Sequence, residues 1–476
     1  MSERRDLAPA HRAPTKLTLL TVRKVLAVAS LVAYLLAVGS LVVAKFIPAK
    51  YLWILLPLSA IGMAVVLRAQ FRKNVSTLKN VWLIILSLVI GGVSVAAFST
   101  VMSLSSFIAG VQQADYAVET YSIIAKKDRN MTLAEAKTAA LLNDDKNASE
   151  VTRELKRKTP ASPMQYDTLA AATVALEDGG VDTAVLNSAY MDIVRENNSA
   201  FYASIEVLAT FTVRVKNTTS AQVDVTQPFV LYISGIDTYG EISTVSRSDV
   251  NMLAVINPQT NKILLVNTPR DYYVQLHGTV GSRDKLTHAG IYGIDMSRQT
   301  LEDLYGTNID AYVRVNFSSL VEIIDALGGV EVYSDYDFKT FHTGANYVDG
   351  KQALVFARER YSFAEGDRQR GKNQQRVVEA IIAKMNNPEN ILNYKRILNA
   401  VQGAVETNIS RDGLTKIANH QLDTLSTWNV ESISVDGTGA SAATYSMGPQ
   451  QLYVMMPNQE TVDIAKQKIA DTLRGL

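Results

Sequence analysis

Residues 229–240 read FVLYISGIDTYG, a mostly apolar run that opens into a glycine-flanked turn carrying Asp237. A short continuous apolar run fits a strand buried on both faces, the kind found at the centre of an α/β sheet. Ligands of open α/β sheets collect where such strands end, so Asp237 stands at a candidate site. Downstream, SRSDVNMLAVINP (residues 246–258) and KILLVNTPRDYYV (262–274) read as two more strands joined by a short turn at residues 259–261. Arg247 and Asp249 are two apart, so both face one side of a strand, and Arg270 and Asp271 close the next one. Residues 317–327 fit a helix stopped by Gly328 and Gly329, and residues 330–333 a further strand. The pattern predicts an α/β fold: a mixed central sheet flanked by helices, an α-β-α sandwich.

Further along, RERYSFAEGDRQRGKNQQ (358–375) gathers Arg358, Arg360, Arg368, Arg370 and Lys372 with Glu359, Glu365 and Asp367. If residues 354–361 are extended, Arg358 and Arg360 project from one face. A helix starting near Asp367 sets Arg370 and Gln374 one turn apart, with Val377, Val378, Ile381 and Ile382 turning into a core. Guanidiniums donate in planar pairs that match phosphate oxygens, and a helix N-terminus adds unpaired N–H groups. The stretch reads as a phosphate cradle; the alternative is a solvated loop leading into an amphipathic helix.

The chain of 476 residues exceeds one ordinary domain. Its formal net charge of +1 gives no field directed at nucleic acid. The absence of cysteine removes disulfides, thiol nucleophiles and cysteine-bound zinc. Three uncharged apolar runs, at residues 25–44, 51–67 and 81–102, are long enough to be transmembrane helices. Arg4, Arg5, Arg12, Lys16, Arg23 and Lys24 precede the first, and Arg68, Arg72, Lys73 and Lys79 follow the second. By the positive-inside rule the 1–24 tail and that second loop are cytoplasmic, which puts everything after the third span outside the cell.

The expected organisation is a cytoplasmic tail (1–24), three spans within 25–109, a small extracellular α/β accessory domain with its linker (110–225), and a catalytic domain over 226–476 with its core at 229–390. In the accessory part, residues 132–142 and 166–177 look helical, 204–215 alternates like a strand, and 216–227 reads as a linker. At the carboxyl end, 391–425 looks helical, 432–435 and 451–456 strand-like, and 461–473 forms a last helix.

Asp237 and Asp249 are hard oxygen donors at strand ends beside arginines, the kind that hold magnesium together with phosphates. Each alone is equally a turn or cap residue, and Arg247 and Arg270 alone are equally surface ion-pair partners. Their gathering at the ends of neighbouring elements favours a pyrophosphate site.

The motifs GIDTYG, SRSDVN, TPRD, KLTHAGIYG, NFSSLVEIIDALGGVEV and ARERYSFAEGDRQRGKNQQ, in this order, resemble the LytR-CpsA-Psr family. The three-helix layout resembles its streptococcal-type capsular polysaccharide biosynthesis members. The resemblance is strong over 229–385 and lies more in arrangement than in motifs over 110–225. It implies a membrane-anchored phosphotransferase that moves a glycopolymer, capsular polysaccharide by this likeness, from an undecaprenyl pyrophosphate carrier to peptidoglycan. It matches Asp237 and Asp249 to magnesium ligands, with manganese as an alternative ion. Arg247, Arg270, Arg358, Arg360, Arg370 and Gln374 match pyrophosphate-contacting residues, with Arg358, Arg360 and Asp249 closest to catalysis. Lys285 and Asp367 fall in matching motifs and are equally structural ion-pair partners. Family members also hold the polyprenyl chain in an apolar tunnel, for which Ile291, Tyr292, Phe317, Leu320, Val321, Ile324 and Leu327 are candidates, or plain core. Further capsule biosynthesis proteins are implied partners. Two other readings share these residues: hydrolysis of the pyrophosphate, and membrane-bound regulation of capsule expression. The short cytoplasmic parts leave no room for a DNA-binding helix-turn-helix.

Overall fold

The computed structural model describes residues 16–44, 49–73, 75–110, 112–113, 116–143, 147–216, 221–236, 242, 245–386, 404–424 and 427–476. The three apolar runs form α1 (Lys16–Ala44), α2 (Ala49–Gln70) and α3 (Thr77–Gly110), each long and apolar enough to cross a membrane. Some of their polar side chains pair across the helices. Arg23 Nη1 donates to Asn80 Oδ1 at 2.5 Å and Gln70 Nε2 to Ser87 Oγ at 2.9 Å.

Strand β1 (Gln112–Gln113) is followed by a five-stranded sheet built from β2 (Tyr116–Lys126), β3 (Thr138–Leu142), β4 (Ser162–Tyr166), β5 (Thr183–Asn187) and β6 (Ile205–Lys216), in the order β4-β3-β5-β2-β6. Helices α4 (Ala148–Lys158), α5 (Leu169–Glu177), α6 (Ser188–Asn197) and α7 (Ser199–Ser204) complete it. Strand periodicity sorts its residues: Ile123, Ala139 and Leu141 pack on α4, while Ile124, Ala140 and Leu142 pack on α5 and α6. Two expectations fail here. Residues 132–142 are not a helix, because Ala139–Leu142 is buried throughout as an inner strand and is hydrogen-bonded on both sides. The helix expected over 166–177 starts only at Leu169, where the Thr168 hydroxyl accepts from Ala171 N. Of the stretch expected to be a linker, residues 217–220 lie outside the described residues; beyond them Val223 and Val225 are buried, and Ala221 N donates to Asn408 O at 2.8 Å.

The second sheet takes β7 (Phe229–Ile236), β8 (Ser248–Asn257) and β9 (Lys262–Thr268) as an antiparallel core. After β10 (Tyr273–Val274), β11 (Asp284–Lys285), α8 (Leu286–Ala289) and α9 (Ile294–Tyr305), β12 (Ala311–Asn316) returns parallel to β7. Helix α10 (Phe317–Ala326) ends at Gly328 and Gly329, whose φ of 74° and 92° admit glycine readily. Strands β13 (Val330–Ser334) and β14 (Gly344–Val348) pair only with each other, so 330–333 stands apart from the main sheet. Then come α11 (Gly350–Arg358), α12 (Asp367–Met385), β15 (Val405–Thr407), α13 (Arg411–Thr424), β16 (Asn429–Ser434), β17 (Gly437–Thr444), β18 (Gly448–Pro457) and α14 (Gln459–Arg474). The sheet order β1-β15-β12-β7-β8-β9-β16 mixes parallel and antiparallel pairs. One face buries Val230, Leu253, Val255 and Leu264 against Leu301 of α9 and Val462 and Ile469 of α14. The other packs Met252, Ala254 and Leu265 against Val378 and Ile382 of α12. This is the expected sandwich.

The helix expected over 391–425 lies outside the described residues up to 403; from there Val405 is a strand residue buried between β1 and β12, and only Arg411–Thr424 is helical.

The two sheets share a core. Around them, Ile291, Met447 and Leu452 from the elements that flank the second sheet pack into the cluster of Leu169, Ala172, Leu176 and Ile193 on the helices of the first. Burying each such side chain contributes roughly 1.5–3 kcal/mol.

Candidate functional site

In the β8–β9 ladder Asn251 faces Thr268, so continuing the register two residues outward, onto the same face, sets Asp249 opposite Arg270. The side chains meet: Arg270 Nη1 lies 3.1 Å from Asp249 Oδ2, and the Thr287 hydroxyl donates to Asp249 Oδ1 at 2.9 Å. Burial alone would push the Asp249 carboxyl up; Arg270 first, then Arg370 and Arg247, outweigh it and hold it at about 2. It is an anion under all ordinary conditions. Its strand is backed by Gly290, where a Cβ would fall 2.6 Å from both Ser246 O and Ser248 N, so only glycine lets KLTHAGIYG lie against it.

The arginine-rich stretch differs locally from its reading. Residues 354–361 are not extended: α11 runs to Arg358, started by a capping box in which Asp349 and Gln352 satisfy each other's backbone N–H. Arg358 therefore ends a helix and Arg360 lies in the loop beyond it, so no shared strand face aligns them. The packing brings both to one place. The Arg358 guanidinium stacks over Phe317 at 4.2 Å and that of Arg360 over Tyr361 at 4.7 Å. Glu359 turns away. Its carboxylate accepts from Tyr361 N and Ser362 N and pairs with Lys339; burial would raise it, but these partners, Lys339 first, hold it at about 2.

Helix α12 starts at Asp367 as expected. Its carboxylate lies 3.2 Å from Arg370, 3.8 Å from Arg360 and 3.9 Å from Arg270, tying three guanidiniums together. Arg370 is buried, and burial followed by its neighbour Arg270 pushes its pKa down. Most of that lowering is the cost of burying the charge, with the repulsion of Arg270 added to it, and a bound anion would offset both.

Arg247, Asp249, Arg270, Arg358, Arg360, Arg370 and Gln374 all line one cavity of about 740 Å³. Much of the remaining wall is apolar, with Ile233, Val250, Val315, Leu320, Val377 and Val378. Of the candidate tunnel residues, Phe317 and Leu320 line it; Ile291 lies in the core between the sheets, and Ile324 and Leu327 lie in the core under the β13–β14 hairpin. Lys285 pairs with Asp271 at 3.1 Å and is not among the residues that line the cavity. Asp237 lies outside the described residues. Sequence reasoning missed Lys339, Tyr361, Asp192 and Arg195, which also line the cavity. For Thr287 a signal existed, since it sits in a quoted motif, but nothing in its spacing linked it to Asp249.

Ionised Asp249 suits a hard cation, and magnesium is often bound by one or two carboxylates plus phosphate oxygens and water. Among the described residues, which do not include Asp237, no three His, Cys, Asp or Glu side chains converge on a point.

The class these features define is a mixed-sheet α/β sandwich whose cavity joins clustered guanidiniums to apolar side chains, in a chain with three helices long and apolar enough to cross a membrane. The sequence pattern of the LytR_cpsA_psr family matches residues 198–462, and the chain belongs to that family. A relative from Bacillus cereus, named polyisoprenyl-teichoic acid–peptidoglycan teichoic acid transferase TagU, is 33% identical over 233 residues, 48% of this chain and 75% of the relative. The protein of the same name from Enterococcus faecalis is 36% identical over 221 residues, 45% of this chain and 71% of the relative. Among solved structures, B. subtilis TagV is 26% identical, covering 52% of this chain and 98% of that one, with a TM-score of 0.44.

Proposed function

We propose that the protein is a glycopolymer–peptidoglycan phosphotransferase. It takes a polymer from a polyprenyl pyrophosphate carrier and joins it to the cell wall through a phosphodiester. The observation that carries this reading is the single cavity in which five guanidiniums of the second sheet's domain face an apolar wall. One end suits a pyrophosphate and the other a hydrocarbon chain. The relatives' shared name supports the reaction class. The three-helix layout supports capsular polysaccharide as the polymer, and the basic residues flanking α1 and α2 support an outward-facing catalytic part.

In this reaction an acceptor sugar hydroxyl attacks the phosphorus bearing the polymer. The new P–O bond forms as the bond to the second phosphate breaks, polyprenyl phosphate leaves with that electron pair, and the hydroxyl proton passes to the departing phosphate or, through water, to solvent. Arg247, Arg270, Arg358, Arg360 and Arg370 hold the pyrophosphate in line and offset the charge gathering on the leaving phosphate. Arg270 and Arg370 are buried, so their contribution is little weakened by water. Asp249, held at about 2, is too weak a base to take the hydroxyl proton early; its role is to set the arginines. A divalent cation, magnesium or manganese, would be held by Asp249 and Asp237 and would add charge neutralisation at the phosphates.

The test uses the full chain in detergent with a lipid-pyrophosphate-linked oligosaccharide, magnesium and a peptidoglycan fragment, products being followed by mass spectrometry. The expected product is a sugar-phosphate-glycan adduct that disappears with Arg360→Ala. Free sugar phosphate without adduct identifies a hydrolase instead, and a chain that fails to bind the lipid overturns the reading.

A further inference from the structure

The first sheet's domain reaches the cavity through one helix. Asp192 and Arg195, three apart on α6, line it beside Arg247, Asp249, Arg358 and Arg360. The Arg195 Nη2 donates to Asp192 Oδ1 at 2.7 Å. The helix beneath them is fixed, because Tyr190, Ile193 and Val194 are buried in the core shared with Ile291, Met447 and Leu452. The domain is therefore a rigid wall of the cavity and not a spacer beside it.

The chemistry of the pair differs from that of the cradle. Its charges cancel within the pair, so a phosphate gains more from the excess guanidiniums around Arg370. A sugar ring presents hydroxyls that each donate and accept, and a carboxylate beside a guanidinium supplies the matching acceptor and donor. Resting on the function proposed above, we propose that Asp192 and Arg195 form a saccharide subsite for the sugar joined directly to the donor's pyrophosphate. The first sheet's domain would then contribute to choosing which polymer is transferred.

The experiment measures binding of the full chain in detergent micelles to undecaprenyl-pyrophosphoryl N-acetylglucosamine and to sugar-free undecaprenyl pyrophosphate. An exposed i,i+3 ion pair contributes little to stability, so Asp192→Ala/Arg195→Ala is expected to fold; a thermal melt checks this, and Arg195→Lys serves as the milder variant. The expected result is about a tenfold loss of affinity for the glycosylated probe, with the sugar-free probe unaffected. Equal affinity of variant and parent for the glycosylated probe overturns the subsite while leaving the transferase reading intact. An equal loss on both probes also overturns it, since the pair would then serve the anion. If the parent chain binds neither probe, the transferase reading itself falls and the subsite with it.

Discussion

Replacing Asp249 with asparagine keeps the shape of the side chain and an oxygen for the Thr287 hydroxyl, and removes only the charge. In the folded protein this carboxyl is held at about 2, against an ordinary value of 3.8. A depression of that size corresponds to about 2 kcal/mol of favourable interaction with its surroundings at neutral pH. The side chain is nearly buried, so solvent screening removes little of it. The sign follows from the depressed pKa: the stabilisation is fully present above about pH 4 and is lost as the pH falls through about 2. Asp249→Asn is therefore expected to be less stable than the parent by about 2 kcal/mol at pH 7, a drop of a few degrees in melting temperature for a unit of this size. The gap should narrow as both proteins are acidified below pH 4. Full-length proteins in the same detergent, melted across pH 7 to 3, provide the comparison. Inorganic pyrophosphate offers a second readout, because it competes with Asp249 for the same guanidiniums. Without divalent cation it should raise the variant's midpoint at least as much as the parent's. The reasoning is refuted if the variant melts with the parent at pH 7, or if a gap seen there stays constant down to pH 3.

Arg360→Lys keeps the charge but loses the planar fork, and transfer should fall at least tenfold with an unchanged melting temperature, read by adduct formation in the mass-spectrometric assay. Gly350→Ala would put a Cβ 2.3 Å from Val321 O; pushing α11 off α10 should cost about 1–3 kcal/mol in a denaturant titration and displace Arg358. Asp349→Ala removes the cap of the same helix, and a loss of about 1 kcal/mol is expected by the same titration, with Asp349→Ser recovering much of it. Val378→Trp should block the apolar wall, so that a long-chain polyprenyl pyrophosphate loses affinity in a binding titration while inorganic pyrophosphate does not.

The parts of this molecule legible in its sequence are those where a local pattern and the tertiary structure agree. The antiparallel β7–β9 core was readable because apolar runs alternate with turn residues, and Asn261, at φ 53°, closes the β8–β9 turn as its residue type suggests. The start of α12 was readable from the charged-to-apolar switch after Asp367. Residues 354–357, LVFA, were ambiguous: four apolar residues fit a strand or a helix, and the decisive signal lay upstream in the Asp349–Gln352 box. The alanine spacing of 132–142 misled for a related reason, since burial in the middle of a sheet overrides helix propensity. At the site, the charged residues were legible because their types announce anion chemistry. Which apolar residues line the cavity was not, because Leu320 and Ile324 occupy one helix four residues apart and only packing separates wall from core. The approach of Asp192 and Arg195 was also hidden, since it depends on how two sheets dock.

That docking also bears on how these two domains assemble as the chain is synthesised. Leu169, Ala172 and Leu176 are made well before Ile291, and Met447 and Leu452 come near the end of the chain. Until those later residues arrive, one apolar side of the first sheet's domain stands uncovered in a crowded environment. The domain made first is thus completed last, and a chain cut short before Met447 should display that uncovered side as protease sensitivity at α5, where the full chain resists.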